Sequence, residues 1–197
     1  VVYDFRQNDL KNGGGGAPLT PIFHSLIANK YQLIPPNIFL NIGGITNFTY
    51  LGKSFDTGKK TIKNWYANDL CLGNCLIDQW IRKKAKKNFD KDGKIAKSGK
   101  ISKKRLKEAL QNYKVIKKNS LDIKDFNLSF VNGLSLKDGT ATLTEYTAQV
   151  LANHLMVHIL DNIKIILCGG GRKNKFLIKK IKKKIPYKVL LIDDYGV

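Results

Sequence analysis

Ile163-Lys164-Ile165-Ile166-Leu167-Cys168-Gly169-Gly170-Gly171 passes from a branched, apolar run straight into bare glycine. Branched apolar residues bounded by turn formers read as a strand. The longer segment that follows, 174–185, sets Leu177, Ile178, Ile181 and Ile185 against lysines at helical spacing. The order is therefore strand, glycine turn, helix. Glycine lets a ligand approach the backbone because no side chain intervenes, and free N–H groups at a helix start attract negative charge. Gly169, Gly170, Gly171 and Asn174 are accordingly candidate nucleotide contacts.

Working outward, the segment before this strand carries an apolar stripe through Leu143, Tyr146, Val150, Leu151, His154 and His158. Thr142 with Glu145 predicts a capping box at its start. A second glycine turn, Asn41-Ile42-Gly43-Gly44-Ile45-Thr46-Asn47, lies between β-rich segments 38–42 and 46–51 and reads as a hairpin with exposed backbone. A further strand is predicted over 189–192, and a helix over 74–87 with Leu76, Ile77, Trp80 and Ile81 on one face. Strands alternating with helices indicate an α/β fold. Neither glycine turn has the Walker or the dinucleotide pattern, which leaves a phosphate-handling protein of another kind. Both turns are then expected to face a common cleft.

The 197 residues, 43% of them hydrophobic, suffice for one substantial core. With 35 Lys and Arg against 15 Asp and Glu, the formal charge of +20 raises a nucleic-acid alternative. No groove-entering element or aromatic platform accompanies it, and the lysines of 83–87 and 179–184 fill the outward positions of helical patterns. A solvated surface without a specific nucleic-acid partner is the better reading. No apolar run approaches the roughly 20 residues that cross a bilayer, and residues 1–6 lack the order of a secretion signal, so a cytoplasmic protein with no membrane partner is expected. Cys71, Cys75 and Cys168 are too few for a disulfide framework and lack a second pair for zinc. His154 and His158 share the apolar stripe without further ligands, so they read as structural and no metal site is assigned.

Several ordered motifs resemble one family, the anhydro-N-acetylmuramic acid kinases. Asp4-Phe5-Arg6 with Asp9, then Gly13 to Gly16 with Ala17-Pro18-Leu19, Pro21 and Phe23-His24, is similar to that family's DFR, D, GGxGAPL, P and FH sequence. Leu40-Asn41-Ile42-Gly43-Gly44-Ile45 with Asn47 resembles its LNIGGIxN turn, and Gly73-Asn74-Cys75-Leu76-Ile77-Asp78-Gln79-Trp80 its GNxLxDxW helix start. Phe89-Asp90-Lys91-Asp92-Gly93, Ser120-Leu121-Asp122, Ala141-Thr142-Leu143-Thr144 and Cys168-Gly169-Gly170-Gly171 continue the likeness in order.

The resemblance implies an actin-like ATPase (ribonuclease H-like) lobe, a mixed sheet with flanking helices. Residues 1–36 would be an interlobe, substrate-side segment and 37–197 the carboxy-terminal nucleotide-binding lobe. It also implies ATP and Mg2+, an amino-sugar substrate in peptidoglycan recycling, and a homodimer. Nucleotide contacts would come from Gly43, Gly44, Gly169, Gly170, Gly171 and Asn174, and substrate-side residues from Asp4, Arg6 and Asp9. The family's catalytic base is the Asp of an FDTGPGN motif. Ser54-Phe55-Asp56-Thr57-Gly58 copies its letters, whereas Asn68-Asp69-Leu70-Cys71-Leu72-Gly73-Asn74 preserves the distance from Asp to Gly-Asn. Spacing favours Asp69, expected directly before the helix at the cleft floor, over Asp56. The family's GTSxDGxD phosphate loop has no counterpart here, so the chain is expected to be a portion of the kinase that does not catalyse alone. A degenerate, non-catalytic relative is the other alternative.

Overall fold

The computed structural model describes residues 4–14, 16, 19–53, 55–56, 61–62, 64–116, 120–158 and 163–197. In chain order its elements are helices α1 (Phe5–Lys11) and α2 (Pro21–Lys30), then strands β1 (Asn37–Ile42), β2 (Ile45–Leu51), β3 (Phe55–Asp56), β4 (Thr61–Ile62) and β5 (Trp65–Leu72). Helices α3 (Cys75–Ala85), α4 (Lys94–Lys97), α5 (Lys103–Gln111) and α6 (Leu136–His158) follow, and then strand β6 (Lys164–Cys168), helix α7 (Lys175–Lys182) and strand β7 (Lys188–Leu191). Five strands form one sheet in the order β5-β2-β1-β6-β7, while β3 and β4 pair separately. Strands β1, β2 and β5 are antiparallel neighbours; β1, β6 and β7 run parallel. The sheet is therefore mixed.

Period-two alternation divides the sheet into two covered faces. Ile38, Leu40 and Ile42 of β1 enter the larger core, with Leu76 and Trp80 of α3, Leu143 and Leu151 of α6, and Leu177 and Ile181 of α7. The intervening Phe39 joins Ile166, Leu51, Ile27 and Ile192 on the opposite side, beneath α2. A continuous apolar strand with both faces buried is what a central position requires, and β1 occupies one. This α/β architecture, a mixed sheet flanked by helices, is the one the motifs implied. Among the described residues, no helix is long and apolar enough to cross a membrane.

Helix α6 begins at Leu136, well before the expected Thr142. Its first turn is held by Ser135, whose hydroxyl oxygen accepts the N–H of Asp138 at 3.1 Å. Thr142 lies inside the helix, where its hydroxyl donates to the Asp138 carbonyl at 2.7 Å and accepts the Ser102 N–H at 3.0 Å. Glu145 is likewise no cap: Lys180 and Lys184 reach its two carboxylate oxygens at 2.8 and 2.6 Å, tying α7 to α6. Gly139 conceals the true start from a reading of sequence, since glycine is a poor helix former. It is tolerated for a packing reason, because a Cβ there would lie 2.4 Å from the Trp80 indole.

The edge strand β5 was also unforeseen. Its pairing with β2 contains an irregularity: Thr46 faces Cys71 but Asn47 faces Asp69, which leaves Leu70 as an extra residue. That β-bulge lets the consecutive residues Leu70, Cys71 and Leu72 all be buried.

Candidate functional site

Parallel strands β1 and β6 end side by side, Asn41 opposite Cys168, and a glycine turn follows each. The second turn is pressed onto the end of β1. A Cβ at Gly169 would lie 2.2 Å from Asn41 Oδ1, and one at Gly171 would lie 2.4 Å from Ile42 Cγ2. Gly169 also has φ of 74°, a conformation glycine adopts without strain. Gly170 differs from both neighbours, since a Cβ there would meet nothing within 4 Å. Close packing explains Gly169 and Gly171, whereas open space at Gly170 leaves its backbone available to a ligand.

That space is a cavity of about 390 Å3, lined by Gly170 and Gly171 together with Asn74, Asp78, Phe89 and Asp90. Asn174, also in its wall, caps α7 by accepting the Leu177 N–H at 3.0 Å. The cavity thus lies where α3 and α7 both begin. Gly43 and Gly44 are at the same end of the sheet but do not line it. Their carbonyls are engaged instead: Gly44 accepts from Gly73 at 2.9 Å and Cys75 at 3.2 Å, and Gly43 accepts from Asn74 at 2.8 Å. This hairpin turn braces the start of α3 and consumes N–H groups that a phosphate would otherwise have used. Gly73 exists for that contact, as a Cβ there would lie 2.3 Å from the Gly43 oxygen.

Asp69 is within β5, which continues to Leu72 before Gly73 and Asn74 lead into α3, so it does not stand directly before the helix. The β-bulge beside it displaces the rest of the strand. Register places Asp69, Asn47, Asn41 and Cys168 in one row across four strands at the glycine-turn end, on a common face. The Asp69 carboxylate accepts the Leu121 N–H through Oδ2 at 2.8 Å. Asp56 is in β3, and its side chain and residues 57–60 of the FDTG-like stretch lie outside the described residues.

Three members of that row, Asn47, Asn41 and Cys168, line a second cleft of about 560 Å3, which also receives Arg6, His24 and Arg172. Of the three expected substrate-side residues only Arg6 reaches it. Asp4 caps α1 by accepting the Gln7 N–H, and Asp9 accepts the Gly16 N–H at 2.8 Å, shaping the glycine loop. His24 stacks on Phe39 at 4.6 Å between ring centroids and contacts the Thr49 hydroxyl at 2.9 Å. Burial lowers its pKa to about 4, so it is neutral at pH 7. Arg172 fixes the glycine turn, donating to the Gly169 carbonyl at 2.9 Å and to both oxygens of Asp193 at 2.5 and 3.1 Å. The guanidinium in turn holds the Asp193 carboxyl below the usual range.

Sequence reasoning passed over Asp78, although it stands in the GNxLxD stretch. Burial pushes its carboxyl up to about 6, with Arg82 opposing the rise and Asp90 adding to it. The three cysteines are free and buried, and burial pushes all three thiols up.

The family model described as anhydro-N-acetylmuramic acid kinase matches residues 1–197. Among curated proteins, the anhydro-N-acetylmuramic acid kinase of Pelagibacter ubique is 43% identical over 206 aligned positions, covering 100% of this chain and 53% of the relative. That of Zymomonas mobilis is 35% identical over 99% of this chain and 52% of its own length. The chain spans about half the length of the curated relatives it matches. A solved structure of an activator of the 2-hydroxyisocaproyl-CoA dehydratase from Clostridium difficile aligns with a TM-score of 0.46 at 15% identity, covering 85% of this chain and 57% of that one. That likeness is too distant to carry weight.

Proposed function

The chain belongs to the anhydro-N-acetylmuramic acid kinase family, and we propose that it forms the nucleotide-binding, base-bearing part of an ATP-dependent kinase for that sugar. The observation that carries this reading is Gly170, whose bare backbone opens on a cavity between the starts of two helices. Gly170, Gly171 and Asn174 would hold ATP, which supplies the γ-phosphoryl group. Gly43 and Gly44 serve the site by bracing α3. Among the described residues no group of three His, Cys, Asp or Glu side chains is placed to hold a metal. Mg2+ often binds chiefly through the nucleotide's own phosphates.

In the proposed reaction water attacks the anhydro bridge carbon, the bond from that carbon to the bridging oxygen breaks, and the freed oxygen accepts the phosphoryl group. Asp69 would take the proton from the attacking water. The Leu121 N–H fixes one of its oxygens, and the other accepts no hydrogen bond among the described residues, so a basic lone pair remains free. The face that Asp69 shares with Asn47 and Asn41 leads to the second cleft, where Arg6 of segment 1–36 would meet the sugar. Residues 37–197 would make the nucleotide lobe. Buried free thiols fit a reducing, cytoplasmic setting.

The test joins this chain to the amino-terminal half of the Pelagibacter ubique relative and measures ADP release. Turnover that requires the anhydro sugar supports the reading, and turnover indifferent to the sugar overturns it.

A further inference from the structure

Away from the glycine turns, a cavity of about 480 Å3 is bounded by the end of α5, the segment 125–130 and α6. Its walls are aromatic: Tyr113, Phe126, Phe130 and Tyr146 line it, with Leu76 of α3 as a further apolar contact. The rings pack on one another, with 5.0 Å between the centroids of Phe130 and Tyr146 and 6.4 Å between those of Tyr113 and Tyr146. Arg105 of α5 fixes one wall by donating to the carbonyls of Phe130 and Asn132 at 2.9 and 2.6 Å. The Tyr113 hydroxyl is engaged by His154 Nε2 at 2.8 Å. Tyr146 is only 7% exposed, yet its hydroxyl has no hydrogen-bond partner among the described residues. A buried phenol normally finds one. Burial pushes its pKa up to about 12, so at pH 7 the hydroxyl keeps its proton and can donate as well as accept.

We propose that this cavity is a regulatory site for a neutral, flat ring carrying a hydroxyl group, which stacks among the aromatic walls and pairs with the Tyr146 hydroxyl. Aromatic walls with a few polar groups are the usual lining of a small-molecule site, and such sites span roughly 300–1,000 Å3. Charges of both signs, Lys114 and the carboxylates of Glu108 and Asp125, stand around the cavity, which favours a neutral ligand over an ion. The route to the reaction is short. Asp125 and Phe126 reach the cavity from a single tight turn, Ile123–Asp125, closed by two hydrogen bonds: Asp125 Oδ2 accepts the Asp122 N–H at 2.8 Å, and Asp122 Oδ1 accepts the Lys124 N–H at 2.9 Å. Just ahead of that turn, the Leu121 N–H donates to Asp69 Oδ2 at 2.8 Å. A ring that displaces Phe126 therefore moves the donor that fixes the Asp69 carboxylate. That Asp69 is the base rests on the kinase reading; the cavity and its link to Asp69 do not.

The experiment titrates the 197-residue chain with p-cresol and, separately, with toluene, following the backbone amide resonances of Leu121, Phe126, Phe130 and Tyr146. Both probes should shift all four, and p-cresol should bind about five-fold more tightly through its one added hydrogen bond. Tyr146→Phe removes only the unpartnered hydroxyl, so it should fold as the parent does and bind the two probes equally. Asn112→Trp, at the exposed rim, should exclude both and leave Leu121 unshifted. The inference is overturned if p-cresol shifts none of these resonances, if its advantage over toluene persists in Tyr146→Phe, or if it binds while Leu121 stays fixed. A chimera without sugar-dependent turnover would sink the kinase reading alone, since none of these shifts depends on it.

Discussion

Replacing Gly73 by Ala tests whether the hairpin turn and the start of α3 are one construction. Gly73 is not among the glycines with positive φ, so alanine brings no backbone strain of that kind, and the cost must come from contact. The new Cβ would lie 2.3 Å from the Gly43 carbonyl oxygen, 3.1 Å from that of Gly44 and 3.0 Å from Thr46 Oγ1. Backbone oxygens cannot rotate aside, so the chain must withdraw from the hairpin and stretch the hydrogen bonds from Gly73, Asn74 and Cys75. Overpacking of this kind costs about 1–3 kcal/mol, and each weakened bond up to about 1 kcal/mol more. A net loss of roughly 3 kcal/mol corresponds to a fall of about 6–12 °C in Tm for a chain of this size. Thermal unfolding followed by circular dichroism, with urea denaturation at 25 °C as a second measure, reads the change. A Tm within about 2 °C of the parent would refute the brace.

Gly170→Val should leave Tm nearly unchanged, because a Cβ there meets nothing, yet weaken ATP binding at least about ten-fold by filling the cavity; calorimetric titration decides, and unchanged affinity would make the turn merely structural. Asp78→Asn should alter the pH dependence of stability. The folded chain holds this proton up to about 6 against 3.8 for an ordinary aspartate, so the stability it contributes is present below about 4 and lost as pH rises through 6. The variant, which cannot ionise, should therefore melt higher than the parent at pH 8 and lose that advantage at pH 4; an equal difference at both pH values would contradict the assignment.

Strands β1, β2, β6 and β7, and the glycine turns after β1 and β6, were legible because their apolar, branched residues are bounded by glycine and polar turn formers. Strand β5 was not, since Asn68 and Asp69 within it are residue types depleted in strands and its burial pattern is broken by the bulge at Leu70. A bulge arises from pairing with β2, which no local periodicity records. The start of α6 was hidden by Gly139, whose justification is contact with Trp80 of a different helix. At the site, Gly170 was named together with Gly169 and Gly171 and not distinguished from them, as only packing separates open space from a tight fit. The cavity's carboxylates could not be foreseen, because Asp78 and Asp90 come to line one space with Gly170 only after α3 has packed against the sheet.

The base assignment is the most exposed part of the kinase account. In the chimera with the amino-terminal half of the Pelagibacter ubique relative, turnover of ATP with the anhydro sugar should be measured for Asp69→Asn and Asp56→Asn side by side. Asparagine keeps the shape of the side chain and removes the basic lone pair, so Asp69→Asn should lower turnover by at least about 10² with sugar binding little changed, while Asp56→Asn is nearly silent. Loss of turnover in Asp56→Asn with full activity in Asp69→Asn would contradict the account, and would make the copied FDTG letters a better guide than the row of side chains on the sheet.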